Sequence, residues 1–186
     1  MQKCKYGPTN TYMINTPLGE FQLECCSYGI HSLHHMPKVF KVEKTASVVV
    51  SDQRYPDNGY QYKPVKDCVN WLQEFFDNKE PSSLPTICWS EEKTTDFHLN
   101  IWKTLAERVK FGQTVSYGQL AEMSGYNKRF SRAVGHSMRE NPVVLIVPCH
   151  RVILASKKPG HYAAGQKDEM KQWLLNHERE RKVQEP

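Results

Sequence analysis

At 186 residues, with 39% hydrophobic and 11% aromatic content, the chain can bury a real core in one domain or two small ones. No apolar stretch approaches the roughly 18 residues of a membrane-spanning helix, and Met1-Gln2-Lys3-Cys4 lacks the apolar core of a secretory signal, so a soluble intracellular protein is expected. The net charge of +5 fits a polyanionic partner, and the excess is local: residues 126–139 carry Lys128, Arg129, Arg132 and Arg139 with no acidic residue.

In chain order, residues 9–36 alternate in the manner of strands. Thr11–Ile14 leads into a turn at Asn15–Gly19, then Phe21, Leu23 and Cys25 share one face, which predicts a small antiparallel sheet. From Pro37 to Pro64 the pattern weakens to a long loop with one further strand at Ser47–Val50. Val65, Val69, Leu72 and Phe76 recur at helical spacing and close an N-terminal subdomain, and Pro81–Pro85 reads as a linker. The predicted boundary separates 1–88 from 89–186.

Beyond the linker the chain turns helical. Phe97, Ile101, Trp102 and Leu105 mark one amphipathic helix, and Ser116 is placed to cap a second over Tyr117–Ser124. Gly125 breaks it, and Phe130, Ala133, Val134, Ser137 and Met138 form the inward face of a third. Two short helices around a glycine break spell helix-turn-helix, with Lys128, Arg129, Arg132 and Arg139 as the charge and Ala133 and Gly135 small enough for close approach to a nucleic-acid backbone. An ordinary helical hairpin with a solvated basic face has the same pattern. Met170, Trp173, Leu174 and His177 predict a C-terminal helix, followed by a charged tail from Arg179.

The apolar run Val144–Val147 reads as a buried strand that Pro148 ends, leaving Cys149 at a bend facing a cavity. Burial disfavours a thiolate, but His150 is an adjacent base that reaches the thiol if the chain turns there or through a water. A packed core cysteine is the alternative. The six cysteines, at 4, 25, 26, 68, 88 and 149, have no disulfide-framework spacing and read as metal ligands, nucleophile or core.

Pro148-Cys149-His150-Arg151-Val152, preceded by Asn141-Pro142 and followed by Gly160-His161-Tyr162 and Trp173–Glu178, resembles the O6-alkylguanine-DNA alkyltransferases; so does Phe111–Ala121. The likeness is strong over about residues 97–178 and weak before them. It implies an α/β fold of the α+β kind, with an N-terminal ribonuclease H-like subdomain and a C-terminal winged-helix-like one.

The implied activity is direct DNA repair. The alkyl group of O6-methylguanine or another O6-alkylguanine passes irreversibly to Cys149 in a single turnover that needs no cofactor, because a thioether, unlike a thioester, is not hydrolysed. By the same resemblance Glu178 orients His150, His150 deprotonates Cys149 through a water, Tyr117 donates to guanine N3, and Asn141 links the helix-turn-helix to the active-site loop. As an Asn-Pro pair, Asn141-Pro142 also reads simply as a turn. The base is flipped out of the duplex, with Arg132 as the finger entering through the minor groove, so sequence specificity is weak.

Gly118, Tyr126 and Ala155 occupy phosphate-contact positions, the first and last through backbone groups alone. Met138, Val152, Tyr162 and Ala163 correspond to pocket positions. Ala163 stands where serine is common, Val144 replaces a proline and Ala164 a glycine, which bears on pocket width. Relative to vertebrate members, one residue is inserted before Arg132 and two after Gly165.

Vertebrate members hold a structural zinc with two cysteines and two histidines. Cys4, Cys26 and His31 correspond to three of these and Cys88 to the second histidine, a chemically sound exchange; Cys25 competes with Cys26, and His34 or His35 with His31. A monomer acting on duplex DNA without a membrane is implied, nuclear if eukaryotic and otherwise cytoplasmic. Two other classes stay open: a lesion binder without chemistry, against which Cys149 itself argues, and a cysteine hydrolase using Cys149, His150 and Glu178, which would turn over repeatedly.

Overall fold

The computed structural model describes residues 3–36, 40–43, 47–54, 63–89, 94–162 and 167–180. It divides into two compact units, Met1–Lys93 with Pro142–Val144, and Thr94–Asn141 with Leu145–Pro186. It is a mixed α/β protein with a small antiparallel sheet.

In the first unit, β1 (Lys3–Cys4) pairs with β2 (Gly7–Pro8), and β3 (Asn10–Thr16), β4 (Gly19–Cys25), β5 (Ile30–His35) and β6 (Val49–Gln53) form an antiparallel sheet in the order β5-β4-β3-β6. The alternation is as read: Tyr12 and Ile14 on β3 and Phe21, Leu23 and Cys25 on β4 are fully buried. Gly19 sits at φ 94° in the β3–β4 turn, a conformation glycine adopts without penalty, and Thr16 Oγ1 closes the turn on Gly19 O at 2.8 Å. The fourth strand lies two residues beyond the expected Ser47–Val50. Val48 instead turns its N–H to Gln73 Oε1 at 3.1 Å, which leaves pairing to begin at Val49. Helix α1 (Lys63–Phe76) buries Val65, Cys68, Trp71, Leu72 and Phe75 and packs on β4.

Close backbone approach brings the chain past β5 twice. Ile30 N–H donates to Thr86 O at 2.9 Å and Cys88 N–H to Ile30 O at 2.7 Å, while Leu33 N–H donates to Pro142 O at 2.8 Å. The first approach requires Gly29, where a Cβ would lie 2.8 Å from Thr86 O and 2.9 Å from Cys88 N. Gly29→Ala is therefore expected to push the 86–88 segment off β5 and to cost about 1–3 kcal/mol, read as a lower thermal midpoint together with faster thiol modification of Cys88.

The second unit holds α2 (Asp96–Arg108), β7 (Val115–Ser116), α3 (Tyr117–Met123), a 3-10 turn at Lys128–Phe130, α4 (Ser131–Arg139), a 3-10 turn at Cys149–Arg151, β8 (Val152–Ile153) and α5 (Asp168–Glu180). Ser116 caps α3 as expected, in a full capping box with Gln119 that sequence inspection passed over. Gly125 makes the break at φ 83°. Trp102 Nε1–H donates to Ser137 O at 2.8 Å, which ties α2 to α4.

Three local expectations change. Leu145, Ile146 and Val147 are buried and Val144 partly so, but the run forms no strand: Leu145 takes φ 71° in a turn, and β7 pairs in parallel with β8 instead. Phe130 is 48% exposed rather than inward, because the N-terminal end of α4 turns it toward Phe97 and Tyr126 at the surface. On α5 the buried face is Met170, Lys171, Leu174, Leu175 and Glu178, while Trp173 and His177 stack on each other half-buried. No helix among the described residues is long and apolar enough to cross a membrane.

Candidate active site and a cysteine-histidine cluster

Cys149 opens the 3-10 turn that follows Pro148 and is 5% exposed, at the wall of a cavity of about 540 Å³. Tyr117 from α3, and Arg132, Gly135, Met138 and Arg139 from α4, line the same cavity, together with His161, Tyr162 and Lys171. Gly135 packs beneath Tyr117, where an added Cβ would meet the ring at 3.8 Å. Val152 is not among the lining residues; it is fully buried in β8, and its carbonyl accepts from Lys171 Nζ at 2.7 Å. Ala163 lies outside the described residues.

The sulfur is held from two sides. Asn141 Nδ2 donates to Cys149 Sγ at 3.2 Å and to Val147 O at 2.8 Å, so one side chain fixes both the thiol and the turn that presents it. The thiol faces Tyr162 Oη at 3.4 Å. Burial pushes the thiol pKa up, and the contacts with Tyr162 and Asn141 and the charge of Lys171 pull it back without overcoming burial. Cys149 therefore rests as a thiol and needs a base. Burial also raises the Tyr117 phenol, with the charge on Cys149 adding to it, so Tyr117 keeps its proton.

His150 Nε2 and Glu178 Oε1 are 2.8 Å apart, both fully buried. Burial lowers the His150 pKa against the pull of Glu178, which keeps the ring neutral; with the proton on Nε2 toward the carboxylate, the basic nitrogen is Nδ1. Burial alone would raise Glu178, yet His150 and Arg151 bring its carboxyl down to about 2. Arg151 Nε and Nη2 donate to the carboxylate at 2.9–3.1 Å, Gly112 N–H donates at 2.9 Å, and Arg151 Nη1 is anchored on Val109 O at 2.7 Å. Sequence reasoning gave Arg151, Gly112 and Lys171 no part. Arg151 was legible, since a buried carboxylate beside a histidine needs a permanent cation. Lys171 is 1% exposed; burial brings its pKa to about 8 against the pull of Cys149 and Asp168.

Gly118 and Ala155 line a second cavity of about 430 Å³ with Ser116, Gln119 and Lys128. A side chain at Gly118 would meet Lys128 Cβ at 3.5 Å, an ordinary contact, so packing does not demand glycine there. Tyr126 is half-buried against Phe97, ring centroids 4.8 Å apart, and Asn100 Nδ2 donates to its hydroxyl at 3.4 Å.

In the first unit the ligand atoms of Cys4, Cys26, His31 and Cys88 all lie within 4.8 Å of one another. Cys25 points the other way, into the core, where burial pushes its thiol up to about 12. His35 Nε2 bonds Leu18 O at 2.7 Å and His34 is exposed, which leaves His31 in the cluster. The Cys4 and Cys88 sulfurs are 3.7 Å apart and form no disulfide, close to the roughly 3.8 Å that two 2.3 Å bonds span at a tetrahedral zinc. Three thiols and one imidazole suit that ion.

The family profile described as 6-O-methylguanine DNA methyltransferase, DNA binding domain, matches residues 96–180. The methylated-DNA–protein-cysteine methyltransferase of Mus musculus is 34% identical over 95% of this chain and 82% of its own length, and that of Homo sapiens 32% over 89% and 78%. Among solved structures, Mycobacterium tuberculosis OGT in complex with DNA superposes with a TM-score of 0.67 at 28% identity, over 91% of this chain and 92% of that one. At this identity over most of both chains, the chain belongs to the methylated-DNA–protein-cysteine methyltransferases.

Proposed function

We propose that this protein repairs O6-methylguanine and other O6-alkylguanines in duplex DNA by moving the alkyl group irreversibly onto Cys149, once per molecule. One observation carries the reading: a buried thiol on a cavity that also holds Tyr117 and Arg132, with His150, paired to Glu178, next to it in the chain.

His150 takes the thiol proton through a water, and the resulting thiolate attacks the sp3 carbon on O6. The S–C bond forms as the C–O6 bond breaks, the electron pair passes into the guanine ring, and Tyr117 delivers a proton to N3. The proton held on His150 returns by way of solvent to the tyrosine, so the net change is thiol to thioether and alkylguanine to guanine. Guanine leaves neutral. Asn141 supports the thiolate as it forms. Tyr162 and Met138 wall the alkyl pocket.

A paired base cannot reach a buried thiol, so the nucleotide is flipped out, with Arg132 filling its place from the minor groove. Gly118, Tyr126 and Ala155 contact phosphates, and affinity is largely independent of sequence. The protein acts as a monomer, in the nucleus if the source is eukaryotic and in the cytoplasm otherwise, with a ribonuclease H-like first unit and a helix-turn-helix of the winged type in the second. Zinc held by Cys4, Cys26, His31 and Cys88 would pin the first and last segments of the first unit together as a purely structural ion.

The test is an intact mass spectrum after incubation with duplex DNA containing O6-methylguanine. A gain of about 14 Da mapping to Cys149, saturating at one equivalent, is expected. Unchanged mass with tight lesion binding, or turnover beyond one equivalent, overturns the reading.

A further inference from the structure

Tyr162 stands at the reacting sulfur, its hydroxyl 3.4 Å from Cys149 Sγ, yet it lies on neither a helix nor a strand. Its backbone is tied at both ends to the start of α5. The Tyr162 N–H donates to Asp168 Oδ1 at 2.6 Å, and Lys167 N–H donates to Tyr162 O at 3.2 Å. The second oxygen of Asp168 takes His161 Nδ1 at 2.9 Å. One carboxylate thus bridges two consecutive lining residues of the cavity, His161 on its exposed lip and Tyr162 in its buried wall.

The helix that carries this carboxylate is firmly seated. Met170, Leu174 and Leu175 are buried, and Glu178, at its other end, is locked by His150 and Arg151. Asp168 lies in the first turn, where the helix dipole favours a negative charge, and the bond from His161 with that from the Tyr162 backbone holds the carboxyl below its ordinary range. It is ionised at neutral pH. The firm position of α5 passes to the pocket wall through this group.

We propose that Asp168 is a positioning residue that, through His161 and Tyr162, sets the width of the alkyl pocket and thereby the preference between small and bulky O6-alkyl groups. The inference rests on Cys149 being the alkyl acceptor. In-line attack on an sp3 carbon tolerates little misplacement, and a shift of about 1 Å costs on the order of 100-fold. A methyl group has too little surface to orient itself and depends on a preformed wall. A benzyl group fills the space and packs its own ring against whatever wall it meets, so loosening the wall should penalise methyl far more.

The experiment compares transfer rates from duplexes carrying O6-methylguanine and O6-benzylguanine for the wild-type protein, Asp168→Ala, Asp168→Asn and His161→Ala, with thermal midpoints for each. Asp168→Ala should lower the methyl rate about tenfold while the benzyl rate holds within about twofold. Asp168→Asn keeps an acceptor for Tyr162 N–H and should fall between, as should His161→Ala, which removes only the lip. A methyl-to-benzyl ratio unchanged from wild type in Asp168→Ala, or equal losses for both groups in step with a lowered midpoint, overturns the proposal. If Asp168→Ala does not fold, the isosteric Asp168→Asn decides by the same ratio. A wild-type protein that takes up neither group removes the acceptor reading, and this inference with it.

Discussion

Cys149→Ser is expected to bind duplex DNA containing O6-methylguanine and leave it unrepaired, with no gain in protein mass over hours. The substitution changes almost nothing in the packing. A serine oxygen accepts from Asn141 Nδ2 and donates to Tyr162 Oη as the sulfur does, so the Pro148 turn and the cavity survive. The nucleophile does not survive. His150 is neutral and its basicity is reduced by burial; it suffices to take a proton from a thiol, but a serine hydroxyl is several orders of magnitude less acidic, and an oxygen nucleophile is poorly matched to a soft sp3 carbon. The transfer rate should fall by on the order of 10⁵-fold or more. Affinity for the lesion duplex, measured by anisotropy, should stay within about threefold, because binding rests on groups the substitution leaves alone. Transfer by Cys149→Ser at more than about a hundredth of the wild-type rate would remove Cys149 as the acceptor.

How much of this was legible beforehand depends on what each residue hides. The β3–β4 hairpin was plain because apolar side chains alternate up to a glycine turn. The phase of α5 was misjudged because an apolar count put Trp173 and His177 on the inward face with Met170 and Leu174, whereas two buried positions carry charge: Lys171, held by Val152 O, and Glu178, held by Arg151 and His150. Burial of an ion is legible only through its partner. The run at 144–147 looked like a strand because it is fully apolar, but composition does not reveal that Leu145 turns left-handed. The choice between Cys25 and Cys26 was a matter of parity. Cys25 ends β4 on its inward face, and Cys26, one step on, falls in the turn closed by its own N–H on Gly29 O at 3.0 Å. The chemistry-bearing residues themselves were legible as motifs. Their supports were not, because Gly112 N–H and Val109 O are backbone groups brought to the site from 66 and 42 residues away.

Glu178→Gln should weaken both the fold and the reaction, and the pH dependence separates its two parts. The glutamine amide presents N–H where the carboxylate accepts from Arg151, His150 and the Gly112 N–H, so at least one buried donor faces another and the Arg151 charge loses its counter-ion. Breaking such a buried pair costs about 3–5 kcal/mol, roughly 6–20 °C in thermal midpoint at this chain length. The reaction loses the group that fixes which His150 nitrogen is basic, and a fall of about 10²–10⁴-fold in transfer rate follows. In the wild type the Glu178 carboxyl titrates at about 2 instead of its ordinary 4.5, so its contribution, on the order of 3 kcal/mol, is complete above the ordinary value and is lost as pH falls toward 2. His150, also depressed, adds loss in the same direction from its ordinary 6.5 downward. Thermal midpoints of the wild type should therefore drop steeply between about pH 4.5 and pH 2, and those of Glu178→Gln much less. Parallel curves for the two proteins would mean that Glu178 is not the ionised partner of His150 and Arg151, and the assignment of His150 as an oriented neutral base would go with it.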